Sequence, residues 1–118
     1  MFVLDQRHYT GVAKEIIERG LADSLNTWAY ARVDTVKEGN QALLKKAGFN
    51  WLALGIESGS SYVRNGVDKG RFKDNDIYRI VKTVQNAGIY VVGNYIFGLP
   101  DDTIETMQTT YDMAVALE

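Results

Sequence analysis

The sequence predicts an α/β fold, a partial (β/α) barrel of about four βα units with parallel strands and helices on the outside. Two observations support this fold. Apolar, strand-like runs alternate with segments of helical periodicity, which implies right-handed βαβ units. The segments "LLKKAGFNWLALG" and "TVQNAGIYVVG" also repeat the order helix, Ala-Gly, strand. A doubly wound open sheet has the same alternation, and the sequence alone does not separate the two folds.

Four segments have strand character because they are short, apolar and rich in β-branched or aromatic residues. In chain order they are "MFVLD" (1–5), "TWAYARVD" (27–34), "FNWLALGIES" (49–58) and "IYVVGNYIFGLP" (89–100). We expect each strand to be buried on both faces, as in a barrel or a doubly wound sheet.

Four segments between and after these strands have apolar residues at helical spacing. They are 10–22, 37–48, 74–88 and 101–117, with a loop predicted over 59–76. Gly48 and Gly88 stand where the second and third helices should end, because glycine accepts the left-handed conformation found after a helix. The only proline, Pro100, precedes the last helix.

Composition narrows the classes of function. The chain has 118 residues, enough for one domain, and a net charge of −2, which does not favour binding to nucleic-acid phosphates. No apolar run approaches the roughly 20 residues of a membrane span, so we expect a cytoplasmic protein. There is no cysteine and only one histidine, His8, which excludes thiolate metal ligands within these residues.

Charged and small residues follow the predicted strands, at the edge of a parallel sheet where ligands bind. They are Asp5, Arg32, Asp34, Glu57, Ser58 and the segment 98–100. Glu57 is the clearest candidate, since a carboxylate there can accept two hydrogen bonds from the vicinal diol of a ribose. The alternative is a solvated carboxylate that caps the following turn.

Three further features have both a binding and a structural interpretation. Arg32 could bind a ligand carboxylate or simply pair with Asp34. Lys69 could balance a negative ligand group or belong to a solvated basic loop. A glycine such as Gly93 within a strand indicates close approach of a flat ring or of another backbone.

The segments "LDQRHY", "ARVD", "LKKAGFNWLALGIESGS", "DKG" and "AGIYVVGNYIFGLPDDTIET" resemble the radical S-adenosylmethionine (SAM) enzymes. The similar branch includes cobalamin-binding members, such as anaerobic Mg-protoporphyrin monomethyl ester cyclases, and methylthiotransferases. Nearly the whole chain shares this resemblance, and "GIES" followed by "FGLPDDT" is its most specific part. It implies that residues 1–118 are a fragment of a radical SAM barrel, covering the second to fifth βα units and lacking the C-x-x-x-C-x-x-C segment that holds a [4Fe–4S] cluster. A degenerate homologue that has lost its cluster is the other explanation.

The resemblance also assigns residues to parts of SAM. Glu57 and Ser58 correspond to the strand end that binds the ribose, and Arg32 to a polar contact with the methionyl part. Lys69 corresponds to a basic residue near the methionine carboxylate. The segment with Ile96, Gly98 and Leu99 is expected to lie against adenine. Asp5 is expected to face the substrate.

In the intact enzyme, the resemblance implies reductive cleavage of SAM at the cluster, a 5′-deoxyadenosyl radical and a small-molecule substrate. The activity would be that of an oxidoreductase, cyclase or transferase, with cobalamin, held by another domain, as a further candidate cofactor. The chain alone is expected to be inactive. The alternative function is a non-catalytic half-barrel that binds a nucleotide-like ligand or a partner chain. The exposed edge of the first strand predicts a homodimer.

Overall fold

Three parallel strands form the sheet of the computed structural model, which describes residues 1–67 and 73–118. The strands are β1 (Thr27–Arg32), β2 (Phe49–Glu57) and β3 (Tyr90–Tyr95), and they lie side by side in sequence order. Because the strand order never reverses, this part of the sheet has no switch point of the doubly wound kind.

Five helices accompany the sheet in the part of the chain that the structure describes. They are α1 (Gln6–Glu18), α2 (Gln41–Lys46), α3 (Ser61–Gly66), α4 (Asp74–Asn86) and α5 (Ile104–Ala116). Short 3₁₀ turns, Ala22–Ser24 and Val33–Thr35, come before and after β1. The predicted helix ends are confirmed at Gly48 and Gly88, which have φ angles of 91° and 80° and follow the capping residues of α2 and α4.

Burial differs sharply between the two faces of the sheet. Side chains on one face of each strand, such as Ala31, Leu52 and Leu54, lie in the core beneath the helices. Most side chains on the opposite face, such as Trp28 and Tyr90, are exposed, and Ala53 in the central strand is the buried exception. The expectation that every strand is buried on both faces is therefore wrong for this chain. Helices on a single face and strands in sequence order are the arrangement of a partial (β/α) barrel, whose open face is the inside of the barrel.

The predicted first strand, 1–5, is reduced to one parallel bridge between Val3 and Ala31. The Leu4 N–H turns back to the Phe2 carbonyl at 2.9 Å, and the Asp5 carboxylate then accepts the His8 N–H at 3.1 Å. Asp5 thereby caps α1, which starts at residue 6 rather than at residue 10. Asp5 has a structural role at this position that sequence analysis did not predict.

The predicted loop over 59–76 contains the unpredicted helix α3. Its N-cap is Ser60, whose hydroxyl accepts the Val63 N–H at 3.4 Å. Gly59 precedes the cap at a point where the turn touches α5, since a Cβ atom on Gly59 would lie 2.7 Å from the Thr109 carbonyl oxygen. The absence of a side chain at Gly59 therefore lets α5 pack directly against the end of β2.

The second and fourth strand predictions, 27–34 and 89–100, end too late. β1 stops at Arg32 because residues 33–35 form a 3₁₀ turn, and β3 stops at Tyr95. After β3, the Asp102 carboxylate accepts the N–H groups of Gly98 and Leu99 at 2.9 and 3.0 Å. These bonds hold 96–103 as a loop at the edge of the sheet where the strands end.

Candidate functional site

A cavity of about 500 Å³ lies at the carboxyl ends of the three strands. The residues that line it are Met1, Tyr30, Ala31, Arg32, Gly55, Glu57, Asn94 and Ile96. Arg32, Gly55 and Asn94 occupy the same row of the sheet, since Gly55 is the register partner of both neighbours. The cavity therefore opens on the inner face, at the edge where the sequence predicted a site.

Glu57 stands on a strained turn at the end of β2. Its φ angle is 69°, a value that residues with a side chain rarely adopt. The Ser58 N–H donates to the Ile56 carbonyl at 2.9 Å across Glu57, which is the three-residue hydrogen bond of a γ-turn. The pairing with β3 shifts register between Gly55 and Glu57, as in a β-bulge. Bulges and positive φ angles re-aim side chains near functional sites.

Gly55 forms the floor beneath the Glu57 carboxylate. A Cβ atom on Gly55 would lie 3.1 Å from Glu57 Oε1, so the carboxylate lies directly above this residue. The Glu57 carbonyl meanwhile accepts the Ile96 N–H at 2.7 Å, which joins the end of β2 to the residue after β3. The site thus has a flat floor, one acidic group and an apolar side chain, Ile96, on its β3 side.

Arg32 lines the cavity, and its guanidinium is already paired. Its Nε and Nη2 atoms donate to the two Asp34 carboxylate oxygens at 2.9 and 2.7 Å. This is the structural interpretation considered for Arg32 from the sequence. The pair is about one-third exposed, so a ligand carboxylate would have to compete with Asp34 for the same two donors.

Ser58 is placed away from the cavity. Its side chain is fully buried, and its Oγ lies 3.2 Å from Thr110 Oγ1 on α5. Its Oγ also accepts the Ser60 N–H at 3.1 Å, and its carbonyl accepts Arg64 Nη1 at 2.7 Å. In this structure, Ser58 therefore connects the turn to the helices rather than pointing toward the candidate site.

The remaining predicted residues are distributed along the loop after β3 and beyond. Ile96 lines the cavity. Gly98 and Leu99 lie further along the loop, where their backbone N–H groups donate to the Asp102 carboxylate. The hydrogen bond from the Thr106 hydroxyl, with those from the Leu99 and Gly98 amides, holds the pKa of Asp102 below its usual value. Lys69 lies outside the described residues.

Five lining residues were not predicted from the sequence, and three of them, Tyr30, Gly55 and Asn94, share a simple pattern. Each stands two positions before a predicted site residue, at Arg32, Glu57 and Ile96. Because side chains alternate between the two faces of a strand, residues two apart share a face. Applying this alternation to the predicted strand ends would have found all three.

The inner face continues below the cavity as an aromatic surface. Trp28 and Tyr30 have ring centroids 5.0 Å apart, and Trp51 and Tyr90 have centroids 4.7 Å apart. Trp51 is the register partner of both Trp28 and Tyr90, so these three rings form one row across the sheet. Tyr30 belongs both to this surface and to the cavity.

The described residues lack two further kinds of feature, a metal-binding cluster and a membrane-spanning helix. Residues 1–67 and 73–118 contain no cluster of three or more His, Cys, Asp or Glu side chains that could hold a metal ion. Within the same ranges, no helix combines the length and the apolar character needed to cross a membrane.

Strands that follow one another in a single direction, with helices on one face only and a cavity above the strand ends, place the chain among the (β/α)-barrel proteins. The family model of the Radical SAM superfamily matches residues 8–114. The chain therefore belongs to the radical SAM superfamily, which confirms the resemblance seen in the sequence.

Two curated relatives are similar over almost the whole chain. An uncharacterized methyltransferase of Pyrococcus horikoshii is 29% identical over 117 residues, which are 99% of this chain and 25% of the relative. An anaerobic magnesium-protoporphyrin IX monomethyl ester cyclase of Cereibacter sphaeroides is 26% identical over 113 residues, 94% of this chain and 18% of the relative. The chain thus spans a quarter or less of the length of these relatives.

A solved structure has the same fold. The radical SAM methyltransferase TsrM from Kitasatospora setae, solved with its tryptophan substrate and a SAM analogue bound, superposes with a TM-score of 0.85 at 24% identity. The match covers 98% of this chain and 23% of TsrM. TsrM has also been solved with cobalamin and a [4Fe–4S] cluster bound. The similarity confirms the partial-barrel fold predicted from the sequence.

Proposed function

We propose that this chain is the SAM-binding part of a longer radical SAM enzyme, with the ribose held by Glu57. The main support for the proposal is the position of the Glu57 carboxylate. It lies on a strained turn above Gly55, at the edge where the strands end. The match to the superfamily supports this proposal over a non-catalytic half-barrel.

The lining residues fit the chemistry of SAM. A carboxylate accepts hydrogen bonds from ribose hydroxyls, and Glu57 supplies one on the cavity side of the sheet. The apolar side chain of Ile96, on the β3 side of the cavity, suits an adenine ring. Arg32 could orient the methionine carboxylate if it exchanged its bond to Asp34. In this superfamily SAM supplies an adenosyl group as a radical precursor, and the chain's own residues bind it, orient it and exclude water.

The chain does not fit a [4Fe–4S] cluster. Such clusters are held by cysteine thiolates, and the sequence contains no cysteine. The cluster would need ligands from another part of the proposed enzyme, and cobalamin would need another domain. A small-molecule substrate and a cytoplasmic location belong to the same proposal.

We expect SAM to bind to the isolated chain weakly and at one place. In a titration of the ¹⁵N-labelled chain followed by NMR, the amide signals of Gly55, Glu57, Asn94 and Ile96 should move together. Free methionine is the control ligand, because it lacks the ribose and adenine and should leave the Glu57 signal in place. Signals that move only on the outer helices, or none at millimolar SAM, would contradict the proposal.

We also propose that the isolated chain forms a homodimer through a free edge of its sheet. The predicted edge at residues 1–5 is not a strand, but it leaves most of the outer edge of β1 without a partner strand among the described residues. Sedimentation across a wide concentration range checks this proposal. A monomer at every concentration would refute it.

A further inference from the structure

We propose that Thr110 on α5 is a positioning residue for Glu57. It would hold the strained turn that aims the carboxylate, although it lies on a different helix and does not line the cavity. The inference rests on the function proposed above and adds a residue that neither the sequence motifs nor the cavity identifies.

Four backbone groups form the turn after β2, from the Glu57 carbonyl to the Gly59 N–H, and each of them makes a hydrogen bond. The Glu57 carbonyl accepts the Ile96 N–H, and the Ser58 N–H donates to Ile56. The Ser58 carbonyl accepts Arg64 Nη1, and the Gly59 N–H donates to Thr110 Oγ1 at 2.9 Å. A backbone conformation that is unfavourable by itself persists only when its surroundings determine it in this way.

The hydroxyl of Thr110 contacts two groups of the turn, the Gly59 N–H and the Ser58 hydroxyl. Thr110 Oγ1 donates to the Thr106 carbonyl of its own helix at 3.0 Å, so its single proton is already used. Its oxygen therefore accepts both the Gly59 N–H and the Ser58 hydroxyl, which lies 3.2 Å away. Ser58 Oγ in turn accepts the Ser60 N–H. With the Thr110 proton placed on the Thr106 carbonyl, the Ser58 hydroxyl is the donor between the two side chains.

Burial makes this hydroxyl important for the turn. Thr110 and Ser58 are 1% and 0% exposed, so water cannot replace a lost partner. Gly59 also touches the backbone of α5 so closely that a Cβ atom would lie 2.8 Å from Thr110 Cα. If the hydroxyl is removed, two buried donors at Ser58 and Gly59 lose their acceptor, and the turn can relieve them only by changing its backbone. The residue that this change would move is Glu57.

The test substitutes Thr110 by valine, which keeps the shape and removes the hydroxyl, and by serine, which keeps the hydroxyl. Thr109→Val is the matched control, because Thr109 is the exposed neighbour whose hydroxyl bonds only within α5, to the Glu105 carbonyl. Two quantities are measured besides the melting temperature. They are the intraresidue HN–Hα NOE of Glu57 in the ligand-free chain, which is strong when φ is positive, and the affinity of the intact, reconstituted enzyme for SAM.

We expect Thr110→Val to weaken the Glu57 NOE and to lower SAM affinity about threefold to tenfold. Thr110→Ser should restore both, and Thr109→Val should change neither. If Thr110→Val lowers only the melting temperature and leaves the NOE and the affinity unchanged, Thr110 has a purely structural role and the inference is overturned. If Glu57→Ala binds SAM as tightly as the unsubstituted enzyme, the proposed function fails, whereas the NOE still decides whether Thr110 positions the turn.

Discussion

Replacing Glu57 by alanine is expected to weaken SAM binding to the intact enzyme by roughly tenfold to a hundredfold. The carboxylate on the turn above Gly55 would accept hydrogen bonds from the ribose hydroxyls, and the variant leaves those hydroxyls without a partner. Losing a hydrogen bond to a charged group costs about 1.5–3 kcal/mol, which corresponds to this range of affinity. Glu57→Gln retains one oxygen acceptor in nearly the same shape and should lose less.

A SAM titration of the anaerobically reconstituted enzyme and both variants measures this effect. Melting temperatures are recorded on the same samples, because a carboxylate that only caps a solvated turn would change stability slightly and leave SAM affinity unaltered. Glu57→Gly is an informative third variant. Glycine adopts a φ of 69° without strain, so it should be more stable than Glu57→Ala while binding SAM equally poorly. Unchanged affinity in all three variants would remove Glu57 from the site.

Local patterns predicted most of the helices and strands because burial on one side leaves a clear periodicity. The apolar face of α4, with Ile77, Ile80, Val81 and Val84, is buried as helical spacing requires. The "MFVLD" segment shows the limit of this reasoning. Its apolar residues suit a strand, but the capping bond from His8 N to Asp5 ends the extended conformation after a single bridge. A helix cap is decided by one side chain and can override several residues of strand propensity.

The sequence predicted where the candidate site lies, at the carboxyl ends of the strands, but only some of the residues that line it. Glu57, Arg32 and Ile96 line one cavity, because strand ends in a parallel sheet meet at one edge, and their contacts with SAM stay predictions. Ser58 directly follows Glu57 and was assigned the same role, yet the positive φ of Glu57 directs Ser58 into the protein. A conformation of this kind leaves no mark in hydrophobic periodicity, so adjacent residues at a strained turn cannot be assigned together from sequence.

A buried arginine, Arg64, was not predicted from the sequence. Arg64 in α3 is 0% exposed. Its Nη1 donates to the Ser58 carbonyl at 2.7 Å, and its Nη2 pairs with the Asp74 carboxylate at the start of α4. In the sequence it stands in a polar stretch that was assigned to a loop, where arginine is ordinarily solvated. Only the packing of three separate elements around the guanidinium shows that it is a core residue.

Arg64→Ala is expected to lower the free energy of unfolding by about 3 kcal/mol. The variant leaves a cavity where a long side chain was enclosed, removes the partner of the buried Ser58 carbonyl and breaks the link to α4. The Asp74 side chain is half exposed, so water can hydrate it after the change. The decrease in the free energy of unfolding should therefore lie near the lower end of the range for breaking a buried ion pair. For a domain of this size the melting temperature should fall by roughly 10–15 °C.

Arg79→Ala is the matched control for this change. Arg79 pairs with Glu38 on the surface and its side chain is 54% exposed, so the same substitution should cost less than about 1 kcal/mol. Arg64→Lys retains the positive charge but cannot bond to both the Ser58 carbonyl and Asp74 with a planar fork, and it should fall between the two alanine variants. Urea unfolding of the four proteins measures these differences. If Arg64→Ala and Arg79→Ala lowered the free energy of unfolding equally, the guanidinium of Arg64 would not be enclosed. The turn that carries Glu57 would then be stable without it.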